Sequence, residues 1–146
     1  MALLNIFDVA GSAMSAQSVR LNVTASNLAN ADSVSSNTAD TYRARHPVFA
    51  TTIQQAMEKF RLDGEMSSAA SRGVRVTGIV ESKAPLDMRY EPAHPQSDEN
   101  GYVAYPNVNV VGEMANMMSA SRSFQMNVEV LNSAKTLAER LLRLGQ

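Results

Sequence analysis

Residues 110–143 read VVGEMANMMSASRSFQMNVEVLNSAKTLAERLLR, and this stretch decides the fold. It holds no proline and a single glycine, Gly112, near its start. Met117, Phe124, Leu131 and Ala138 recur every seventh residue, and Met114, Ser121, Val128, Lys135 and Leu142 fill the three-four alternation between them. That rhythm lays the side chains along one stripe of a helix and matches a coiled-coil seam. At ~1.5 Å per residue the helix would run about 50 Å. A compact chain of 146 residues has a radius of gyration of only about 15 Å. The helix is too long for its own globule, so the spacing predicts an elongated molecule that packs against copies or relatives of itself.

The other end of the chain carries the same rhythm. Phe7, Met14, Leu21 and Leu28 recur every seventh residue, with Leu3, Ala10, Gln17 and Thr24 between them. Asn5 reads as an N-cap, with Asp8 in the capping-box position and Leu4 and Val9 placed as a hydrophobic staple. The helix then runs to about Asn30, where Ala31 to Thr38 turns Ser/Asn/Asp-rich and loses any period. Polar residues interrupt both seams at Gln17, Thr24, Ser121 and Lys135. Such positions specify register or face a further partner more than they stabilise an isolated pair.

Between the helices the chain reads as short and strand-like. His46-Pro47 marks an extended segment, because a residue before proline is pushed out of the helical region. Ile53, Met57 and Phe60 suggest a short amphipathic helix stopped at Asp63-Gly64. Val74 to Val80, Leu86 to Tyr90 and Tyr102 to Tyr105 read as three strands of one small antiparallel sheet, with a turn at Asn100-Gly101. Asn107 or Asn109 can cap the last helix, and Glu113 sits in its first turn. The expected fold is mainly α with a small β region: long N- and C-terminal helices pairing as a coiled-coil-like bundle, and short antiparallel strands in the middle. Its segments are 1–31, the N-terminal helix; 32–72, a loop and short helix; 73–106, the β region; and 107–146, the C-terminal helix.

Composition excludes several function classes. A net charge of -1, from 13 basic and 14 acidic residues, provides no field for nucleic acid or anionic lipid. Cysteine is absent, which removes disulfides, thiolate metal sites and a Cys nucleophile. His46 and His94 each precede a proline, without a second ligand at helical spacing, so no metal site is expected. Asp98-Glu99-Asn100-Gly101 resembles part of a calcium loop but lacks the alternating ligands and distal Glu, and reads better as a polar hairpin tip. Asn22-Val23-Thr24 is a glycosylation sequon that falls inside a helix and is read as chance. No phosphate loop, serine elbow or HExxH occurs, so neither a cofactor nor a small-molecule substrate is expected. No run approaches the ~18 apolar residues of a membrane span, and the start, Met1 to Asp8, lacks the features of a cleaved signal.

Ala25-Ser26-Asn27-Leu28-Ala29-Asn30-Ala31-Asp32 resembles the signature of bacterial flagellar rod and hook proteins. Pro106 to Met114, followed by Met117 to Lys135 with its Ser119-Ala120-Ser121-Arg122-Ser123-Phe124-Gln125 and Asn127-Val128-Glu129-Val130-Leu131-Asn132 strings, is similar to the C-terminal motif of the same family. The opening Met1 to Asp8 and the small size resemble its proximal-rod members. The resemblance implies a basal-body rod in which terminal helices of sister proteins pack in concentric layers around an export channel. It implies torque transmission across the periplasm, and delivery by the flagellar export apparatus without a cleaved signal. It also marks Ala50 to Ser71, after Tyr42-Arg43, as longer than the link often found in relatives.

The expected interface comprises Phe7, Met14, Leu21, Asn27, Leu28 and Asn30 near the N-terminus, with Met114, Met117, Phe124, Val128, Leu131, Lys135 and Leu142 near the C-terminus. Its expected partners are further copies and neighbouring rod proteins. Two other readings compete. A cytoplasmic helical export chaperone or adaptor would use similar stripes. A wall-degrading enzyme would need two carboxylates across a cleft, and no such pair is evident.

Overall fold

The computed structural model describes residues 2–35, 37–53 and 72–144. In chain order these form helix α1 (Ala2–Ala29), strands β1 (Arg45–Ile53), β2 (Arg72–Glu81), β3 (Asp87–Tyr90) and β4 (Tyr102–Tyr105), and helix α2 (Val110–Leu144). The protein is mainly helical with a small β region. α1 starts at Ala2, so Asn5 lies inside the helix and is not its cap. The Ala-Leu-Leu ahead of it are good helix formers, and nothing there breaks the helix. α2 starts where expected: the Asn109 side-chain oxygen accepts the Gly112 N–H at 3.0 Å.

The helices pack antiparallel. Asn27 bonds Glu113, whereas Arg20, earlier on α1, bonds Asn116, later on α2. At ~1.5 Å per residue, α1 with 28 residues and α2 with 35 span about 42 and 52 Å, so α2 is longer than its companion. Its buried and half-buried face is Glu113, Met117, Ala120, Phe124, Asn127, Leu131, Ala134 and Ala138, a strict four-three alternation. Half of the expected stripe, Met117, Phe124, Leu131 and Ala138, is on that face. The other half is displaced by one residue: Glu113, Ala120 and Ala134 are buried and Asn127 half-buried, while Met114 and Lys135 are exposed and Ser121 and Val128 sit half-buried at the edge of that face. Ala120 is 0% exposed, and its small side chain lets the two backbones approach where a larger one would hold them apart.

The strands make two separate sheets. β1 pairs antiparallel with β2, and β3 with β4. The expected single three-stranded sheet is therefore incorrect. The extended segment at His46-Pro47 is a full strand and takes β2 as its partner, while Pro85 interrupts the chain between β2 and β3. Ala50 to Ile53 also belong to β1, and the rest of the expected helix after Ile53 lies outside the described residues. A bulge falls between Val48 and Phe49; Thr77, skipped in the register, donates its hydroxyl to the Val48 carbonyl at 3.1 Å. The Asn100-Gly101 turn is present, with Gly101 at φ 81 and the Asp98 carboxylate accepting the N–H groups of Asn100 and Tyr102.

The β1–β2 hairpin lies against α1. Where β2 crosses the helix, the Val74 N–H donates to the Ser12 hydroxyl at 3.1 Å. Gly73 permits this approach, since a Cβ there would stand 2.7 Å from the Ser12 Oγ. At the hairpin's root Asn107 accepts the Ala44 N–H at 2.8 Å and donates to the Ala84 carbonyl at 2.8 Å, tying β1 and the chain after β2 to the approach to α2.

Gly73→Ala should destabilise the fold by about 1–3 kcal/mol through overpacking, measured by urea unfolding. In the double mutant with Ser12→Ala the loss should be smaller than the sum of the two single losses, because the clashing hydroxyl is gone.

Candidate assembly surface

The site begins with a residue that never reaches the surface. Asn27 is 0% exposed, and its side chain fills every hydrogen-bonding position it has. Its Nδ2 donates to the Arg45 carbonyl at 2.8 Å and to the Glu113 carboxylate at 2.9 Å. Its Oδ1 accepts the Tyr42 hydroxyl and the Arg45 N–H, both at 2.9 Å. Burial lifts the Tyr42 hydroxyl above its usual range, which keeps it protonated as a donor to Asn27. Asn116 continues the network, donating to Glu113 at 3.3 Å and accepting from the Arg20 guanidinium at 2.9 Å. Arg45 turns its own guanidinium outward to Glu81 at 2.9 Å, over the Tyr42 ring. Asn27, expected at the interface between subunits, thus joins three parts of its own chain. Asn30 is half-buried and donates to the Ser26 carbonyl at 2.8 Å, one turn back in α1.

The remaining expected residues divide by face. Phe7, Met14, Leu21 and Leu28 are half-buried along α1, as are Met117, Phe124, Val128 and Leu131 along α2. Met114 and Leu142 are exposed, at 51% and 74%. Lys135 is exposed too, its ammonium 3.9 Å from Glu139 one turn on, a solvated pair worth little.

Away from the buried face, α2 presents further exposed apolar residues, of which the expected interface included only Met114 and Leu142. Val111 is 76% exposed and Met118 68%, with Met114 between them, and Met126, Val130 and Leu137 are exposed further along the helix; Leu141, also exposed, continues the inward alternation past Ala138. Single exposed apolar residues are ordinary, but a broad apolar band along about 40 Å of helix is the kind of surface that an interaction buries. A signal for it was present: Val111 and Met118, and Val130 and Leu137, are also seven apart. Asp98 and His94, considered as ligands, serve loop geometry: Asp98 closes the β3–β4 turn, and His94 accepts the Gln96 N–H at 3.2 Å.

Asn27→Ala would take one of two asparagine bonds from the buried Glu113 carboxylate and leave the Tyr42 hydroxyl and the Arg45 N–H and carbonyl without their Asn27 partner, a loss of about 3 kcal/mol or more in urea unfolding. Asn30→Ala removes one local bond and should cost about 1 kcal/mol or less.

Two family profiles match this chain. "Flagella basal body rod protein" covers residues 7–35, most of α1 and the turn after it, and "Flagellar basal body rod FlgEFG protein C-terminal" covers 99–144, β4 and α2. The flagellar basal-body rod protein FlgC of Salmonella typhimurium is 53% identical over 146 residues, all of both chains. That of Yersinia enterocolitica is 51% identical over the same full length, and that of Borreliella burgdorferi 35% identical over 151 residues, covering 100% and 99% of the two chains. Against the first two there is no net difference in length, so 50–71 is not an added segment relative to them. The chain belongs to the FlgC family of flagellar basal-body rod proteins.

Proposed function

We propose that this rod subunit takes its place in the shaft through the outer face of α2, and that it is delivered by the flagellar export apparatus. As a member of its family it is a structural component of the proximal rod, polymerising with sister rod proteins into the hollow drive shaft that carries torque and conducts exported subunits. Its part is architectural, and we propose no catalytic step for it. The observation that carries the reading is the two-sided α2. Its inner face is occupied by α1, while its outer face leaves apolar residues without a partner among the described residues. Burial of these residues at ~25 cal/mol per Å² is the available driving force for assembly. Nothing in the comparisons favours the export chaperone, and fractionation separates the two readings: a rod subunit co-purifies with detergent-extracted basal bodies, whereas a chaperone stays with the cytoplasm.

Met118→Glu and Leu137→Glu should leave the stability of the isolated chain within about 0.5 kcal/mol of wild type, yet abolish swimming and deplete the protein from basal bodies. Ala120→Leu should behave in the opposite order, destabilising the isolated chain by about 1–3 kcal/mol because that position touches α1. Wild-type swimming by the two outer-face variants would remove that face from the rod contact.

A further inference from the structure

Met114, Met118, Arg122, Met126 and Val130 follow one another at every fourth residue, and all of them are exposed. At that spacing they form one continuous ridge, about 24 Å long, crossing α2 on the side away from Ala120 and Phe124. The ridge is built mostly of methionine: Met114 is 51% exposed, Met118 68% and Met126 53%. Met117, next to Met118 in the chain, is half-buried on the face toward α1, and Met14 of α1 is half-buried too.

The chain has no cysteine, so thioethers are its oxidisable sulfur, and their reaction with a peroxide follows exposure. The sulfur lone pair attacks one oxygen of hydrogen peroxide and the O–O bond breaks. That oxygen stays on sulfur as a sulfoxide, and the other leaves as water, carrying the proton of the first. The product is polar where the thioether was apolar. On this ridge it also meets a donor. Arg122 stands one turn from Met118 and one turn from Met126. Among the described residues it takes part in no ion pair, the pairs being Arg45–Glu81, Arg89–Asp87 and Lys135–Glu139. Side chains four apart on a helix are neighbours, so a sulfoxide oxygen on either side is within reach of the Arg122 guanidinium. Oxidation thereby turns the middle of the ridge into a hydrated polar patch and removes the apolar area that drives its burial.

We propose that Met114, Met118 and Met126 are a reversible oxidation site for peroxide. The sulfoxide form keeps the subunit out of the rod. A methionine sulfoxide reductase, drawing two electrons from a dithiol and releasing the oxygen as water, returns it to the competent form. The proposal rests on the outer face of α2 being the rod contact, and adds a chemical state in which that contact is switched off.

Peptide mass mapping of the folded full-length chain in hydrogen peroxide tests the site itself. Met118 should convert about fivefold faster than Met117, its neighbour on the other face, and methionine sulfoxide reductases should reverse the conversion. For the consequence, the chain is induced during a peroxide pulse in cells lacking their own copy, and basal bodies containing it are counted. The wild type should fall about fivefold or more against untreated cells. A variant carrying Met114→Leu, Met118→Leu and Met126→Leu, scored against its own untreated level, should fall by less than about twofold. Met118→Gln with Met126→Gln copies the polarity of the oxidised ridge and should deplete the chain from basal bodies about fivefold without any peroxide. Equal rates at Met117 and Met118, equal fractional losses in the wild type and the leucine variant, or normal incorporation of the glutamine variant would each overturn the proposal. If the wild type resists peroxide while Met118→Glu and Leu137→Glu still abolish swimming, the oxidation site falls and the rod reading stands. Swimming by those two variants removes the rod reading itself.

Discussion

The Asn27 side chain is the contact on which the rest of this small structure depends. One amide, with two donors and one acceptor oxygen, meets the start of β1, the Tyr42 hydroxyl and the first turn of α2. Asparagine suits the position because it donates and accepts at one place. An Asp would lose the donors and set a second carboxylate beside Glu113, and a Leu would leave that buried carboxylate with less of its compensation. Glu113 is 5% exposed, and its carboxylate is held by two asparagine amides. The bulk of the core is correspondingly modest: the buried apolar residues are alanines and valines. With so little large aliphatic burial, fixing how α1, β1 and α2 meet falls to a directional polar network, whose geometry permits one arrangement.

That network sets the orientation of α2 and thereby its two faces. Once Glu113 is fixed toward α1, the four-three alternation carries Ala120, Phe124, Leu131 and Ala134 inward and turns Met118, Val130 and Leu137 outward. A chain that used its whole apolar surface internally would be a globule. This one commits one face of its long helix to α1 and leaves the other exposed among the described residues. The β1–β2 hairpin covers a further side of α1, which is therefore contacted by α2, β1 and β2, while among the described residues α2 is contacted principally by α1.

The terminal helices, their approximate limits, three of the four strands and the Gly101 turn were legible in the sequence, because each is written in local spacing or turn chemistry, and Asn109 was one of two cap candidates; β1 was read only as an extended segment that ended before Ile53. Strand pairing was not legible: β1 finds β2 across residues 54–71, and a run of alternating residues does not say which partner it takes. The seam was read correctly at Phe124 and Leu131 and one residue out at Lys135, because bulk was weighted over the small alanines that allow close approach. Asn27, within the string that resembles the rod family, was expected at the interface between subunits, yet nothing local revealed that its partners would be Tyr42, Arg45 and Glu113, which lie 15 to 86 residues away. The outer row on α2 shares its period with the inner one, and periodicity alone does not say which of two rows a single chain will bury.

The central claim is that α2 keeps its inner face for α1 and gives its outer face to the rod. The natural chain contains no cysteine, so one introduced thiol reports on one position. Maleimide labelling of Met118→Cys should be rapid in the isolated chain and strongly suppressed in intact basal bodies purified from swimming cells, whereas Thr77→Cys on the hairpin provides an exposed comparison outside α2. Equal labelling of Met118→Cys in the isolated and assembled protein would contradict the account.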